Sequence, residues 1–185
     1  MASRLLPTSL LGGRAGPLSL SALQGCEPPS QAALQMKIEK LTREGFAPFG
    51  DVIEMAGVPL SINQGFADRF DDLCKVDVGE TGAAKVSLFE VWPRPMPIKI
   101  DLMERHPLGS QAFYPLQDEE WLVLVCADPL KANSYRGFRA SGQQGVNDAC
   151  NLWQFPLLVF DPSPFIFFFP KGPCVHLQEV KFRRP

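Results

Sequence analysis

An all-β fold, a sandwich or a barrel, is what this sequence predicts, and three observations predict it. The apolar residues fall in short runs of strand length. Prolines and glycines, 18 and 15 among 185 residues, stand between those runs as turn formers. No stretch sustains a long helical period. With 45% hydrophobic residues the chain is long enough to bury one real core, and its length suits a single domain.

Taken in order, residues 1–35 stand apart from the rest. Arg4 and Arg14 are their only charges before Glu27, among many leucines and serines, with Pro7 and Pro17 as breakers. That Arg-containing, Ser-rich, acid-poor composition is that of an organelle transit peptide, with a disordered leader as the alternative. The chain is therefore expected to reach a mitochondrion or other organelle if the leader is a transit peptide, and otherwise to be cytoplasmic. The folded domain is expected over 36–185. Residues 37–41 alternate as a first strand, 42–46 read as a helical turn, 48–51 as a turn and 52–54 as a strand. The polar stretch from Ser61 to Asp72 reads as a loop. Val86 to Trp92 is a strand that Pro93, Pro95 and Pro97 close, because proline has no N–H to give to a ladder. Strands follow at 98–106, 110–114, 121–127, 135–140, 157–160 and 165–169, the last set off by Pro162, Pro164 and Pro170.

Several classes are excluded. A net charge of −2 leaves no basic footprint for nucleic acid. The apolar run at 165–169 is too short to span a bilayer, so no membrane association is expected. Five dispersed cysteines (Cys26, Cys74, Cys126, Cys150, Cys174) form no Cys-x-x-Cys pair and argue for a reduced compartment. No glycine-rich phosphate loop follows a strand and no Gly-x-Ser-x-Gly elbow is present. His106 and His176 are the only histidines, too few and too far apart for an ordinary zinc site.

One dense polar segment remains, Glu104-Arg105-His106-Pro107-Leu108-Gly109-Ser110-Gln111-Ala112-Phe113. On a strand, Glu104 and His106 would share a face, either as a chemical pair or as a strand-end histidine held by a carboxylate. This segment resembles the ureidoglycolate lyase family. Phe49 to Glu54, Ile62-Asn63-Gln64-Gly65, Asp68 to Leu73, Gly145-Val146-Asn147 and Trp153 with Pro156 are similar to other blocks of that family, in order. The resemblance covers roughly residues 36 to 158 and fades after Leu158, where Phe165 to Phe169 departs from the family's final strands.

What the resemblance implies is a small cupin-type β-barrel, a double-stranded β-helix with few short helices, typically a homodimer and without a required cofactor. Where metal cupins present two histidines one residue apart, then a glutamate and a glycine, this chain has Glu104, His106, Gln111 and Asp118, and Gln154 stands where a further histidine is usual. Amide oxygens are weak neutral ligands, so no metal is expected. The implied reaction splits ureidoglycolate, a small-molecule substrate of purine and allantoin breakdown, into glyoxylate and urea, a carbon–nitrogen elimination. It needs a base, an acid and a cation. His106 suits proton transfer, with an ordinary pKa of about 6.5. Arg69, then Arg105, would hold the carboxylate through a bidentate fork, although a local ion pair or the open surface would equally account for either. Asn63, Gln111 and Gln154 could hydrogen-bond the ureido group. The change to Gln154 and the altered tail favour the alternative, a catalytically inactive cupin that binds or scaffolds small molecules.

Overall fold

A computed structural model describes residues 36–171 and 177–182. The leader 1–35 and His176 lie outside the described residues. In chain order the elements are β1 (Ile38–Lys40), α1 (Arg43–Phe46), β2 (Gly50–Ile53), β3 (Leu60–Ile62), β4 (Ala67–Arg69), β5 (Ala84–Val91), β6 (Leu102–Arg105), β7 (Gln111–Pro115) and β8 (Trp121–Cys126). They continue with β9 (Tyr135–Ala140), β10 (Gly145–Asp148), β11 (Trp153–Gln154), β12 (Leu158–Val159), β13 (Ser163–Pro170) and β14 (Gln178–Lys181). The helical part is small. Thr42 caps α1 by accepting from the Gly45 N–H at 3.1 Å, which satisfies one of the donors that a helix start leaves open.

Two main sheets form. One is ordered β1-β9-β8-β11-β6-β14, with β12 also on β8; the other is ordered β2-β10-β7-β13-β5. From β5 to β8 successive strands alternate between the sheets, and β10, β11, β13 and β14 do so again. This is the expected all-β cupin architecture, two sheets closing on one lumen.

Side-chain alternation divides the apolar residues into two layers. Trp121, Val123 and Val125 of β8 face inward and join Val52, Phe113, Val146, Phe165 and Phe167 in one core. Leu124 and Cys126 face outward and join Met103, Tyr135, Phe155 and Leu158 in a second cluster. Between the sheets Phe165 meets Trp121 edge-on at 5.1 Å between centroids, and within the second sheet Phe167 stacks on its cross-strand neighbour Phe113 at 4.5 Å. Burying a ring of this size contributes about 1.5–3 kcal/mol.

The structure differs from the sequence reading in several places: the strand expected over 98–106 is confined to Leu102–Arg105, and Gly145–Asp148, Trp153–Gln154 and Gln178–Lys181 form strands that the apolar pattern does not mark. Ser61 to Asp72 holds a hairpin, β3 paired with β4, rather than a loop. Its reversal needs positive φ, and Asn63, Gln64 and Gly65 supply it in succession at 51°, 60° and 89°. Gly and Asn tolerate that region, whereas Gln64 carries the strain. The tail is also better integrated than its prolines suggest. β13 runs through Pro164 and Pro170 and lies between β5 and β7. Its pairing with β7 spans only Phe165–Phe168, so both prolines sit where the β7 side has no ladder to break.

Candidate functional site

The site is built from strand ends that deliver polar side chains into the apolar lumen. In β6, Met103 is buried in the outer cluster, so its neighbour Glu104 projects into the lumen. Glu104 stands opposite Gln154 of β11 on one side and opposite Glu179 of β14 on the other. Directly opposed residues share a face, which gives the row Gln154–Glu104–Glu179. The second sheet answers it with Asp148 of β10, opposite Gln111 of β7. The sheets are joined here by a hydrogen bond that Gln154 Nε2 donates to Gln111 Oε1 at 2.6 Å. Gly50 is required behind Asp148: a Cβ there would meet the Asn147 carbonyl oxygen at 2.0 Å.

Three of these side chains, Glu104, Asp148 and Gln154, border a cavity of about 310 Å³. Glu104, Asp148, Gln154 and Arg94 are on its wall with Trp121, Phe113, Val146 and Phe155, and Phe89, Glu90 and Trp92 border it from β5 and just beyond. Arg94 lies in the proline-bounded connection after β5, its guanidinium 4.7 Å over the Phe155 ring. A cation held flat against an aromatic face keeps its N–H fork free to take a carboxylate.

The two carboxyls are strongly perturbed. Burial pushes Glu104 up to about 7, with Glu179 adding to the rise and Arg94 opposing it. Burial pushes Asp148 higher, to about 8, and the charge of Glu104 adds to it. Asp148 is 4% exposed and its Oδ1 has no hydrogen-bond partner. A carboxyl in this condition keeps its proton at neutral pH, because ionising it would place an unpaired charge in an apolar wall. One cavity thus holds a carboxyl that titrates near neutral pH and another that stays protonated there, the arrangement suited to paired base and acid work.

The residues singled out in the sequence separate into groups. Gln111 and Gln154 come together, with Glu104 beside them. Half-buried His106 follows the end of β6; its carbonyl accepts from the Asn151 N–H at 3.0 Å, and its side chain is not among those bordering the cavity. Arg105 faces away from the lumen, 4.6 Å over the Trp153 ring and donating to Gln178 Oε1 at 2.7 Å. Arg69 pairs with Asp71 at 3.0 Å on the exposed hairpin that also carries Asn63. Other parts of the 104–113 segment hold the frame: Ser110 Oγ accepts from the Asp77 N–H at 2.7 Å, and the Ser110 N–H donates to the Asp77 carbonyl. Asn147 likewise donates to Asp51 Oδ2 at 3.0 Å and to the Lys75 carbonyl at 3.1 Å.

Sequence reasoning missed Asp148 and Arg94. A signal existed for each: an acid directly following Val146-Asn147, and a lone cation between two prolines at the end of an apolar strand. As for a metal, the positions where cupins place ligands do not fit one. Gln111 Oε1 already accepts from Gln154 Nε2, Gln154 Oε1 is a weak neutral ligand, Asp118 is exposed, and among the described residues no group of three His, Cys, Asp or Glu could hold an ion. No described helix is long and apolar enough to cross a membrane.

Comparison with known proteins gives a consistent picture. The family model for ureidoglycolate lyase matches residues 33–185, which includes the tail. A ureidoglycolate lyase of Burkholderia mallei (strain NCTC 10229) is 48% identical over 135 residues, 71% of this chain and 79% of that protein. Ureidoglycolate lyase 1 of Rhizobium meliloti (strain 1021) is 44% identical over 151 residues, 80% and 89% of the two chains. Among solved structures, oxalate decarboxylase from Bacillus subtilis at pH 4.6 aligns with a TM-score of 0.37 and 16% identity, over 53% of this chain and 23% of that one.

Proposed function

This chain belongs to the ureidoglycolate lyase family, and from that premise we propose that it cleaves ureidoglycolate with Glu104 and Asp148 as its proton-transfer pair. It is a carbon–nitrogen lyase of purine-nitrogen breakdown. The observation that supports the assignment of roles is the pair of buried carboxyls with Arg94 on one cavity wall.

Ureidoglycolate carries a hydroxyl, a carboxylate and a ureido nitrogen on one carbon. Arg94 takes the carboxylate through two parallel N–H bonds. Ionised Glu104 removes the hydroxyl proton, the oxygen lone pair closes the aldehyde carbonyl, and the carbon–nitrogen bond breaks. Asp148 gives its proton to the departing nitrogen, so the products are glyoxylate and urea and no water is consumed. The proton on Glu104 returns to Asp148 through solvent to reset the pair. Gln154, oriented by Gln111, offers an amide to the ureido group, which both donates and accepts. Apolar walls exclude water and strengthen each of these charge interactions.

Proton transfer is thereby assigned to the carboxyl pair rather than to His106, and the substrate cation to Arg94 rather than to Arg69 or Arg105. The working unit is a homodimer; the exposed apolar edge of β5 supports this. The composition of residues 1–35 supports organelle delivery, which fusion of that segment to a fluorescent protein would test. The reaction itself is tested by following both products: equimolar glyoxylate and urea without ammonia is the lyase outcome, and ammonia release would indicate amide hydrolysis instead.

A further inference from the structure

β14 is the last strand of its sheet, and among the described strands only β6 pairs with it. Its register puts Gln178 opposite Arg105, Glu179 opposite Glu104, Val180 opposite Met103 and Lys181 opposite Leu102. Bonds fix that register at both ends. Arg105 Nε donates to Gln178 Oε1 at 2.7 Å, and the Phe182 N–H donates to the Asp101 carbonyl at 2.9 Å.

Locked in this way, the strand sets one carboxyl directly across from another. Opposed side chains in an antiparallel pair have Cβ atoms about 4.5–5.5 Å apart, and like charges placed so destabilise a sheet. Charge on an edge strand deters further pairing, but that purpose does not require an acid opposite the buried Glu104. Glu179 is itself held. Lys181 Nζ lies 2.9 Å from its Oε2, two residues along the same strand, and at 31% against 69% side-chain exposure Glu179 is the more sheltered of the two.

The other charged groups around Glu104 come from elsewhere in the barrel. Arg94 and Glu90 border its cavity from β5 and the connection after it, and Asp148 from β10. β11 brings only the amide of Gln154, and Arg105 on β6 itself points away over Trp153. Glu179 acts on Glu104 in the same direction as burial does, and Arg94 acts against both.

We propose that Glu179 is a positioning residue of the lyase reaction: the C-terminal strand sets its carboxylate against Glu104 and so tunes the base, with Lys181 moderating the effect through its ion pair. This deepens the carboxyl-pair reading above and rests on it. It also makes β14, which lies beyond the stretch where the sequence resemblance fades, a part of the site.

The test uses the full chain, with Glu179→Gln, Lys181→Met and the double variant beside the wild type. Glu179→Gln is expected to move the acid limb of kcat/KM down by about half a unit to one unit. That shift raises activity at pH 5.5 by about 3- to 8-fold relative to the variant's own plateau. Lys181→Met is expected to move the same limb up, and the double variant to match Glu179→Gln alone, because Lys181 acts only through Glu179. Damage to the fold would lower activity at every pH and would not move one limb in opposite directions. An acid limb unmoved in Glu179→Gln overturns the proposal, and a limb unmoved in Lys181→Met overturns the part given to Lys181. A second readout does not depend on activity. In carboxyl ¹³C NMR, the resonance that Glu104→Gln removes is expected to titrate at lower pH in Glu179→Gln than in the wild type. An unchanged titration overturns the coupling, whereas a shifted titration in a protein that leaves ureidoglycolate intact supports the coupling and counts against the lyase reading instead.

Discussion

Replacing Asp148 by Asn separates the electrostatic strain of the site from its chemistry. The side chain is buried, its Oδ1 lacks a partner, and its pKa moves from 3.8 to about 8. The sign follows from proton counting. Between those two values the folded state binds more protons than the unfolded state, so stability falls as pH rises through that window. At pH 7 the interval is about three units, and at ~1.4 kcal/mol per unit the strain approaches about 4 kcal/mol. Asn cannot ionise and keeps the shape. The stability of Asp148→Asn minus that of the wild type should be near zero at pH 4, grow to about 4 kcal/mol by pH 7 and level off above pH 8. Urea denaturation of both proteins at pH 4, 5.5, 7 and 8.5 measures this difference directly. A difference that stays flat across the series would refute the buried, unpaired carboxyl as the source of the strain. The same variant should lose 10²- to 10⁴-fold in kcat, the range of a lost general acid, so stability gained and activity lost are expected together.

Other consequences are as specific. The pH profile of kcat/KM should be a narrow bell with limbs near the pair's values of about 7 and 8, ionised Glu104 setting the acid limb and protonated Asp148 the alkaline one. A broad plateau from pH 5 to 9 would contradict it. Arg94→Met should lower kcat/KM by ~10- to 100-fold, the loss of a charged hydrogen-bonded anchor, and should move the acid limb upward, because Arg94 holds Glu104 down; steady-state kinetics across pH reports both effects. Gln154→Ala leaves buried Gln111 without its partner and should cost about 1–3 kcal/mol of stability, which thermal or urea unfolding would show. Phe165→Ala removes the ring set edge-on to Trp121 and should cost about 3–5 kcal/mol; a loss under 1 kcal/mol would place the main core elsewhere.

How much of this was legible in the sequence depends on whether the deciding contact is local. Trp121 to Cys126 declares itself by composition, since a strand inside a barrel is apolar along its own length; Tyr135 to Ala140 shows instead the alternation of a strand with one face outward, Arg136 and Arg139 among apolar residues. Gln111 and Gln154 stand out as candidates because they sit in recognisable segments, as does Glu104, which the sequence marks only as a neighbour of His106. Asp148 was missed for a physical reason. Gly145–Asp148 is a short, partly polar run, and only its pairing with β7, more than thirty residues earlier, puts the carboxyl into the lumen. Arg94 read as part of a proline stop; its role comes from the connection folding back over Phe155, which no local pattern encodes. The face shared by Glu104 and His106 on an extended strand ends where β6 ends, at Arg105, so alternation does not carry His106 onto the cavity wall. The hairpin at 60–69 was hidden because its turn depends on three successive residues at positive φ, two of which are not glycine.

The most direct test of the central claim is a side-by-side comparison of four proteins, the wild type, Glu104→Gln, Asp148→Asn and His106→Ala, for release of glyoxylate and urea at pH 7.5. The carboxyl pair predicts equimolar products from the wild type, a fall of at least about 100-fold in each carboxyl variant, and His106→Ala within about tenfold of wild type. Full activity in either folded carboxyl variant, with loss confined to His106→Ala, would contradict the account and return proton transfer to the histidine.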